Sequence, residues 1–152
     1  MREGDLVQAE IHTCYGGQES QVQMSVALDP VSAEAMRCEE VVDKAYTAGL
    51  SVVRPGVSFE EIVHTMEAPI RDAGCWSKTP LLHTLTFGST GFTAVNRAQV
   101  EGLGEEAWIE GGNEPGIRRG DLEMCPGMTL ELEPNACLGS CRVNIGGAVL
   151  VT

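Results

Sequence analysis

Apolar and polar residues alternate along the first part of the chain, and this alternation predicts a β-hairpin over residues 5–28. The stretch "DLVQAEIHT" alternates roughly with a period of two, and "SQVQMSVAL" alternates cleanly. A period of two is typical of a strand with one buried face. Between the two runs, "CYGGQ" offers two glycines for a tight turn, so the runs are expected to pair antiparallel.

Two helices are predicted after the hairpin. Pro30 and Ser32 begin the first helix, and Gly49 is a candidate for its end. Ser58 and Glu61 form a capping box at the start of the second helix. One apolar face follows at helical spacing, made by Phe59, Ile62, Val63, Met66 and Ile70. Within this second helix, Pro69 is expected to kink or shorten it, and Gly74 to close it.

The second half of the chain predicts strands around a long loop. Residues 80–87, "PLLHTLTF", favour a short buried strand, and residues 88–120 are rich in glycine and charge. "GMTLELEPNA" and "CRVNIGGAVLVT" predict two further strands. A hairpin, two helices and then strands indicate a single α+β domain over residues 1–152.

Composition narrows the classes of function. The formal net charge of −12 argues against binding nucleic acid or an anionic membrane through a broad basic surface. No run of about 18 apolar residues occurs, and the first residues have no apolar signal region. The sequence therefore predicts a cytoplasmic protein that contacts neither nucleic acid nor membrane.

The chain has six cysteines but no C-x-x-C pair, and its three histidines are scattered. A structural zinc site needs four ligands at workable spacing, so free thiols are the favoured interpretation.

Four stretches match one known family in the family's own order. They are "GDLVQAEIHTCYGGQESQVQMSV", "GLSVVRPGVSFEEIV", "GMTLELEP" and "RVNIGGAVLVT". With them the chain resembles the M24 peptidases, which include methionine aminopeptidase, aminopeptidase P, prolidase and creatinase. The resemblance implies the pita-bread fold. A helical segment precedes the hairpin in that family, so the resemblance also implies a fold that is incomplete at its N-terminus.

The resemblance also locates the family's metal site, and here that site is degenerate. The five ligand positions of the metallopeptidases fall on Glu10, Gln21, Phe87, Glu133 and Gly146. Only Glu10 and Glu133 are anionic, and such a set cannot hold a bridged pair of divalent cations tightly. We therefore expect no metal cofactor; if a metal binds, it is Mn, Co or Zn, held weakly.

Metal-independent relatives such as creatinase and the ectoine hydrolases suggest the first functional hypothesis. It is hydrolysis of a C–N bond in a small polar or dipeptide-like substrate. The resemblance implies Glu10 as nucleophile, with Glu133 as its acid or base partner. His12 lies two residues from Glu10 on the same predicted strand face, so it is the third catalytic candidate. The predicted substrate-binding residues are Gln21, His83, Phe87 and Asn113, the last in an "NEP" stretch that resembles the family's His-Glu-Pro.

Two other hypotheses stay open, and with them the question of whether the chain is an enzyme. One is a dimetal aminopeptidase or Xaa-Pro dipeptidase, which the fold favours and the ligand set opposes. The other is a non-catalytic pita-bread binding module, whose acidic surface would suit a basic partner. A homodimer is compatible with all three.

Overall fold

The computed structural model describes residues 1–78, 80–85 and 120–152. In chain order the helices and strands are β1 (Leu6–Tyr15), β2 (Gln18–Ala27), α1 (Ala33–Val52), α2 (Phe59–Asp72), β3 (Leu82–Thr84), β4 (Thr129–Leu132), β5 (Asn135–Leu138), β6 (Cys141–Asn144) and β7 (Gly146–Leu150). Five strands form one sheet in the order β1-β2-β7-β4-β3, and β5 pairs with β6 in a separate two-stranded sheet. The α+β arrangement confirms the predicted fold class.

The N-terminal hairpin is confirmed, and its turn sets its register. Gly16 and Gly17 have φ angles of 60° and 85°, the positive values that a two-residue turn of this kind requires. In this register Glu10 lies opposite Gln23, and His12 lies opposite Gln21. The alternation in both strands predicts that Glu10 and Gln21 share a sheet face, and they do. The prediction from the resemblance that they face each other across the ladder is wrong, because they are diagonal neighbours.

The first helix begins where the sequence predicts, because the Ser32 hydroxyl accepts a hydrogen bond from the Ala35 amide at 3.1 Å. The helix does not end at Gly49, however, and continues to Val52. A Cβ at Gly49 would lie 2.6 Å from Cγ of Met66 and 3.1 Å from Cδ2 of Leu132. This glycine therefore permits close packing of α1 on α2 and the sheet, and it has no capping role.

Ser58 caps α2 as predicted, since its Oγ accepts a hydrogen bond from the Glu61 amide at 3.1 Å, which is one of the two bonds of a capping box. The predicted apolar face is buried, and Gly74 follows the helix with a φ of 70°. Pro69 lies inside the helix and does not shorten it at that point. Ile70 beyond it is 0% exposed, so packing of the last turn on the core outweighs the hydrogen bond that proline removes.

The C-terminal region contains four strands where the sequence predicts two. Pro134 follows β4 and ends it, because proline cannot donate to a sheet ladder. Ile145 separates β6 from β7, and its amide donates to the Pro134 carbonyl at 3.3 Å. The predicted strand over residues 80–87 is present as the shorter β3. Residues 86–119, which include most of the predicted loop, lie outside the described residues.

The two faces of the sheet differ sharply in chemistry. Leu130 and Leu132 of β4 point into the core formed with α1 and α2, and both are 0% exposed. Glu131 and Glu133 alternate with them and therefore point to the opposite face. That opposite face carries the polar side chains of the hairpin as well, and it is the face on which the candidate site lies.

All six cysteines lie in the described parts of the chain, and each is a free thiol. Within those same parts, no helix combines the length and the apolar character needed to cross a bilayer.

Candidate functional site

A cavity of about 330 Å³ opens on the polar face of the sheet. The period of two in β1 and β2 aims Glu10, His12, Gln21 and Gln23 into it, while the end of β4 contributes Glu133. Among the described residues, its other walls come from Glu19, Pro80, His83, Thr84 and Arg142. A volume of this size suits a small molecule.

Glu10 is the centre of one hydrogen-bonded group. Its Oε1 accepts from Gln21 Nε2 at 2.7 Å and lies 2.9 Å from His12 Nε2. His12 Nδ1 lies 2.9 Å from Glu19 Oε1 on the next strand. The hydrogen bond to Glu19 raises the pKa of His12, partial burial opposes this shift, and Glu10 adds to it. The side chains of Glu10 and His12 are 49% and 48% exposed, so this side of the cavity is wet.

Glu133 is the centre of a second, buried group. It is 4% exposed, its Oε2 accepts from Gln23 Nε2, and its Oε1 lies 3.2 Å from His83 Nε2. His83 Nδ1 donates to the Thr84 carbonyl at 3.1 Å, because a carbonyl oxygen can only accept. The contact between His83 Nε2 and Glu133 Oε1 is attractive when one proton is carried by His83 Nε2 or by Glu133. Burial lowers the pKa of His83, but Glu133, the Thr84 carbonyl and Glu131 together outweigh this effect, and the net shift of the pKa is upward.

Glu131 is a functional candidate that the sequence analysis missed. Its side chain is 0% exposed, and neither carboxyl oxygen has a hydrogen-bond partner among the described residues. Burial, reinforced by the charge of Glu133, raises the pKa of Glu131 to about 8. The alternation in "TLELEP" could have identified it, because that pattern places Glu131 and Glu133 on one face.

The amide of Gln23 is a second group that the sequence analysis missed. Asn144 Nδ2 donates to Gln23 Oε1 at 2.9 Å, and Ser25 Oγ donates to Asn144 Oδ1 at 2.8 Å. This chain of hydrogen bonds fixes which way the Gln23 amide points, so its Nε2 is directed at Glu133.

Five of the seven predicted site residues line the cavity together: Glu10, His12, Gln21, His83 and Glu133. Phe87 and Asn113 lie outside the described residues. The roles assigned to all seven stay predictions, since geometry places side chains without testing what they do.

The sequence profile of Metallopeptidase family M24 matches residues 1–152, the whole chain. The chain belongs to this family. Solved structures of the same family share its fold over the full chain, which confirms the predicted pita-bread architecture. No curated protein matches the chain.

Prolidase from Pyrococcus furiosus is similar at a TM-score of 0.76 and 17% identity, covering 100% of this chain and 40% of that one. The Xaa-Pro dipeptidase of Bacillus anthracis gives 0.76 and 19%, covering 100% and 38%. Methionine aminopeptidase from Thermotoga maritima gives 0.72 and 13%, covering 99% and 61%. This chain thus spans less than two thirds of the length of these proteins, and at such identities the likeness is one of fold.

The family name implies a metal centre, and the described residues do not fit one. Gln21 and Gly146 supply no anionic ligand at two of the expected positions. Amide groups donate to Glu10 Oε1 and Glu133 Oε2, so they compete with a cation for these two oxygens. In the part of the chain that the structure describes, no three His, Cys, Asp or Glu side chains converge to hold an ion.

A Cβ built on Gly146 shows why its position cannot simply regain a ligand. That atom would lie 2.8 Å from Glu131 Oε1 and 2.9 Å from the Leu132 carbonyl oxygen. The space that a side chain at this position would enter is therefore taken by the Glu131 carboxyl group and by backbone.

Proposed function

We propose that this chain forms the active-site region of a hydrolase that cleaves a C–N bond in a small polar or dipeptide-like substrate without a metal. The observation that carries the proposal is that Glu10 and Glu133 line one cavity, and each is held by a glutamine amide of β2. Amide donors stabilise carboxylates and orient them, whereas they compete with cations for the same oxygens.

Glu10 is the nucleophile in this proposal. Its Oε1 is occupied by Gln21 and His12, while its Oε2 has no hydrogen-bond partner among the described residues. Oε2 attacks the substrate carbon and forms a C–O bond as the C–N bond breaks. Because Glu10 is 49% exposed, the bound substrate must itself displace water from this carboxylate.

The pair of His83 and Glu133 supplies the proton in this proposal. The two groups meet on the wall of the cavity, where 3.2 Å separates His83 Nε2 from Glu133 Oε1, and in this proposal they hold one proton between them. It passes to the departing nitrogen, which leaves as a neutral amine. Water then attacks the intermediate on Glu10, breaks the new C–O bond and returns a proton to the pair.

The two other functions have less support. A dimetal peptidase needs ligands that Gln21 and Gly146 cannot provide. A binding module has no need for a buried His83–Glu133 pair beside an open cavity of about 330 Å³. A cytoplasmic location and a homodimeric assembly stay predictions attached to this proposal.

The test combines metal analysis with turnover. The protein is purified without chelator, analysed for transition metals, and assayed against a panel of dipeptides and small amides with and without EDTA. We expect turnover that EDTA does not reduce, and its loss by at least about a thousandfold in Glu133→Gln.

A matched control is Glu61→Gln, which makes the same change on the exposed face of α2 and should leave turnover intact. Near two equivalents of Mn, Co or Zn per chain, together with EDTA-sensitive turnover, would favour the dimetal peptidase instead.

A further inference from the structure

Two cysteine thiols meet where α1 packs on β6. Cys38 lies on the buried face of α1 with Val41, Val42 and Ala45, and it is 0% exposed. Cys141 is the first residue of β6, and its half-buried side chain packs against the same core. Because α1 and β6 are in contact, these two side chains approach each other at the interface between helix and strand.

The ladder between β5 and β6 determines where Cys141 points. Leu138 pairs with Cys141, and Cys137 pairs with Arg142. Paired residues share a sheet face and successive residues alternate, so Cys141 and Cys137 point to opposite faces. Leu138 and Cys141 pack against the helix core, whereas Arg142 lines the cavity. Cys137 is therefore directed away from Cys141, and its thiol donates to Asn135 Oδ1 at 3.9 Å.

The thiols of Cys38 and Cys141 also interact with each other. Burial raises the pKa of Cys38 to about 12, and Cys141 adds to this shift through its charge and through a hydrogen bond. Burial likewise raises the pKa of Cys141, but the hydrogen bond with Cys38 opposes that shift. Cys75 acts on both groups through its charge alone. Of the two interacting thiols, Cys141 is therefore the one that ionises first.

Cys141 is also the thiol of this pair that solvent reaches. It directly follows the exposed turn residues Gly139 and Ser140, and it is partly exposed itself. Cys38 is enclosed by the core and is 0% exposed. Since a thiolate is the reacting form in thiol–disulfide exchange and must be accessible, any such reaction begins at Cys141.

We propose that Cys38 and Cys141 form a disulfide by exchange with a low-molecular-weight disulfide such as oxidised glutathione. The Cys141 thiol loses its proton to solvent, and its sulfur attacks one glutathione sulfur, which forms a mixed disulfide and releases the other glutathione as a thiolate. That thiolate takes the proton of Cys38, whose sulfur then attacks the sulfur of Cys141 and displaces the second glutathione. The second glutathione thiolate takes a proton from solvent. Two protein thiols are thus oxidised by two electrons, and one glutathione disulfide is reduced to two thiols.

The disulfide fastens β6 to α1. It closes a loop between residues 38 and 141, and a cross-link over such a long loop removes many conformations from the unfolded chain. The same strand carries Arg142, which lines the cavity, and Asn144, which holds the Gln23 amide. The link therefore stabilises a strand that supports the cavity, and its formation does not depend on the proposed hydrolase.

Oxidation of a variant without the two exposed thiols tests the pair. Cys14→Ser and Cys125→Ser remove those thiols and leave the other four cysteines in place. This variant is incubated with oxidised glutathione, digested without reduction and analysed by mass spectrometry. We expect a peptide that joins Cys38 to Cys141, a loss of two thiols per chain, and a melting temperature raised by at least about 5 °C. Dithiothreitol should reverse all three.

Three further changes in the same variant separate the steps. With Cys38→Ala, Cys141 should retain one glutathione, because no second thiol displaces it. With Cys141→Ser, Cys38 should stay unmodified, since glutathione does not reach it. Cys75→Ala is the matched control, because it removes another buried thiol that interacts with both residues, and it should still allow the link to form.

The proposal is overturned if no thiols are lost, if Cys141 is linked to Cys75 or Cys137, or if glutathione stays on Cys141 while Cys38 is present. These outcomes are measured in the variant that keeps all four thiols, so a folding defect in Cys38→Ala leaves the proposal testable. None of the measurements involves turnover, so a failure of the disulfide and a failure of the proposed hydrolase are distinguishable.

Discussion

The segment Leu130–Glu133 places two leucines and two glutamates on opposite faces of one sheet, and the two faces are buried alike. Both leucines are 0% exposed, Glu131 is 0% exposed and Glu133 is 4% exposed. The leucines gain free energy by packing against the helices. The glutamates lose their hydration on burial, and hydrogen bonds to protein groups must offset that cost in free energy. Glu133 accepts such a bond from Gln23, whereas Glu131 has no partner among the described residues.

The face that packs on the helices therefore contributes mainly to stability, whereas the face that lines the cavity contributes ionisable groups. Substitutions on the helix side should lower the free energy of unfolding, whereas substitutions on the cavity side should change ionisation and binding. The cavity side should even become more stable where an unpartnered carboxyl group is removed.

The largest effect is expected from Leu132→Ala. It removes a fully buried side chain between α1, α2 and the sheet and should lower the free energy of unfolding by about 2–5 kcal/mol. Urea denaturation measures this loss. Leu150→Ala is the control, because Leu150 is 58% exposed and should change the stability by less than about 0.5 kcal/mol. Equal losses in the two variants would contradict the assignment of the core to the helix side.

Gly146→Glu is expected to have the next largest effect. It restores an acidic residue at the family's ligand position, but its Cβ would lie 2.9 Å from the Leu132 carbonyl oxygen. We expect a loss of about 1–3 kcal/mol in thermal or urea denaturation, and no stabilisation by added Mn²⁺. Gly146→Ala is the control, because it adds the Cβ without the carboxyl group and so measures the steric effect alone. A Glu variant that binds Mn²⁺ tightly at full stability would show that the position accepts a ligand.

Glu131 should make the stability fall as pH rises. Its pKa is raised to about 8 in the folded protein, above the ordinary value of 4.5, chiefly by burial. Between these values the unfolded chain has already lost the proton that the folded chain keeps, so stability decreases with rising pH. Below about 4.5 this contribution is fully present, and by about 8 it is lost.

Glu131→Gln tests this titration, because an amide cannot ionise. The groups near this carboxyl are Glu133, His83, Glu10 and, from α1, Tyr46. The variant should be more stable than the wild-type protein at pH 8, with a difference that shrinks towards pH 5, measured by denaturation at each pH. Glu61→Gln should show no such convergence. A constant difference at all pH values would mean that Glu131 keeps its proton throughout.

The smallest effect is expected from His12, at the solvent-exposed edge of the cavity. The hydrogen bond to Glu19 raises the pKa of His12, so the stabilisation that His12 provides is present below its ordinary pKa of 6.5 and lost as pH rises through the folded value. His12, Glu10 and Glu19 are each at least 38% exposed, so their ion pairs are screened by solvent. His12→Gln should therefore lower the free energy of unfolding by less than about 1 kcal/mol at pH 6, and by a smaller amount at pH 8.5. Chemical denaturation at both values measures it, and a larger loss would place His12 in the structural core.

Much of the fold follows from local sequence patterns. Gly16 and Gly17 permit a turn that few other residues adopt, and Ser32 and Ser58 begin helices through bonds to amides three residues away. The alternation of apolar and polar residues identifies the strands and separates the two sheet faces. The pairing of Glu10 with His12 on one face follows from the same alternation.

Tertiary structure decided what local patterns cannot contain. Gly49 resembles a helix end in sequence, yet it is a packing site because Met66 and Leu132 approach it. The orientation of Gln23 depends on Asn144, and the position of Arg142 depends on Gln8, residues separated by 121 and 134 positions. The alternation predicts the sheet face that Glu131 occupies, but it does not predict that the carboxyl group lacks hydrogen-bond partners among the described residues. A periodicity tells which face a side chain occupies, whereas its partners and its ionisation depend on segments that only folding brings together.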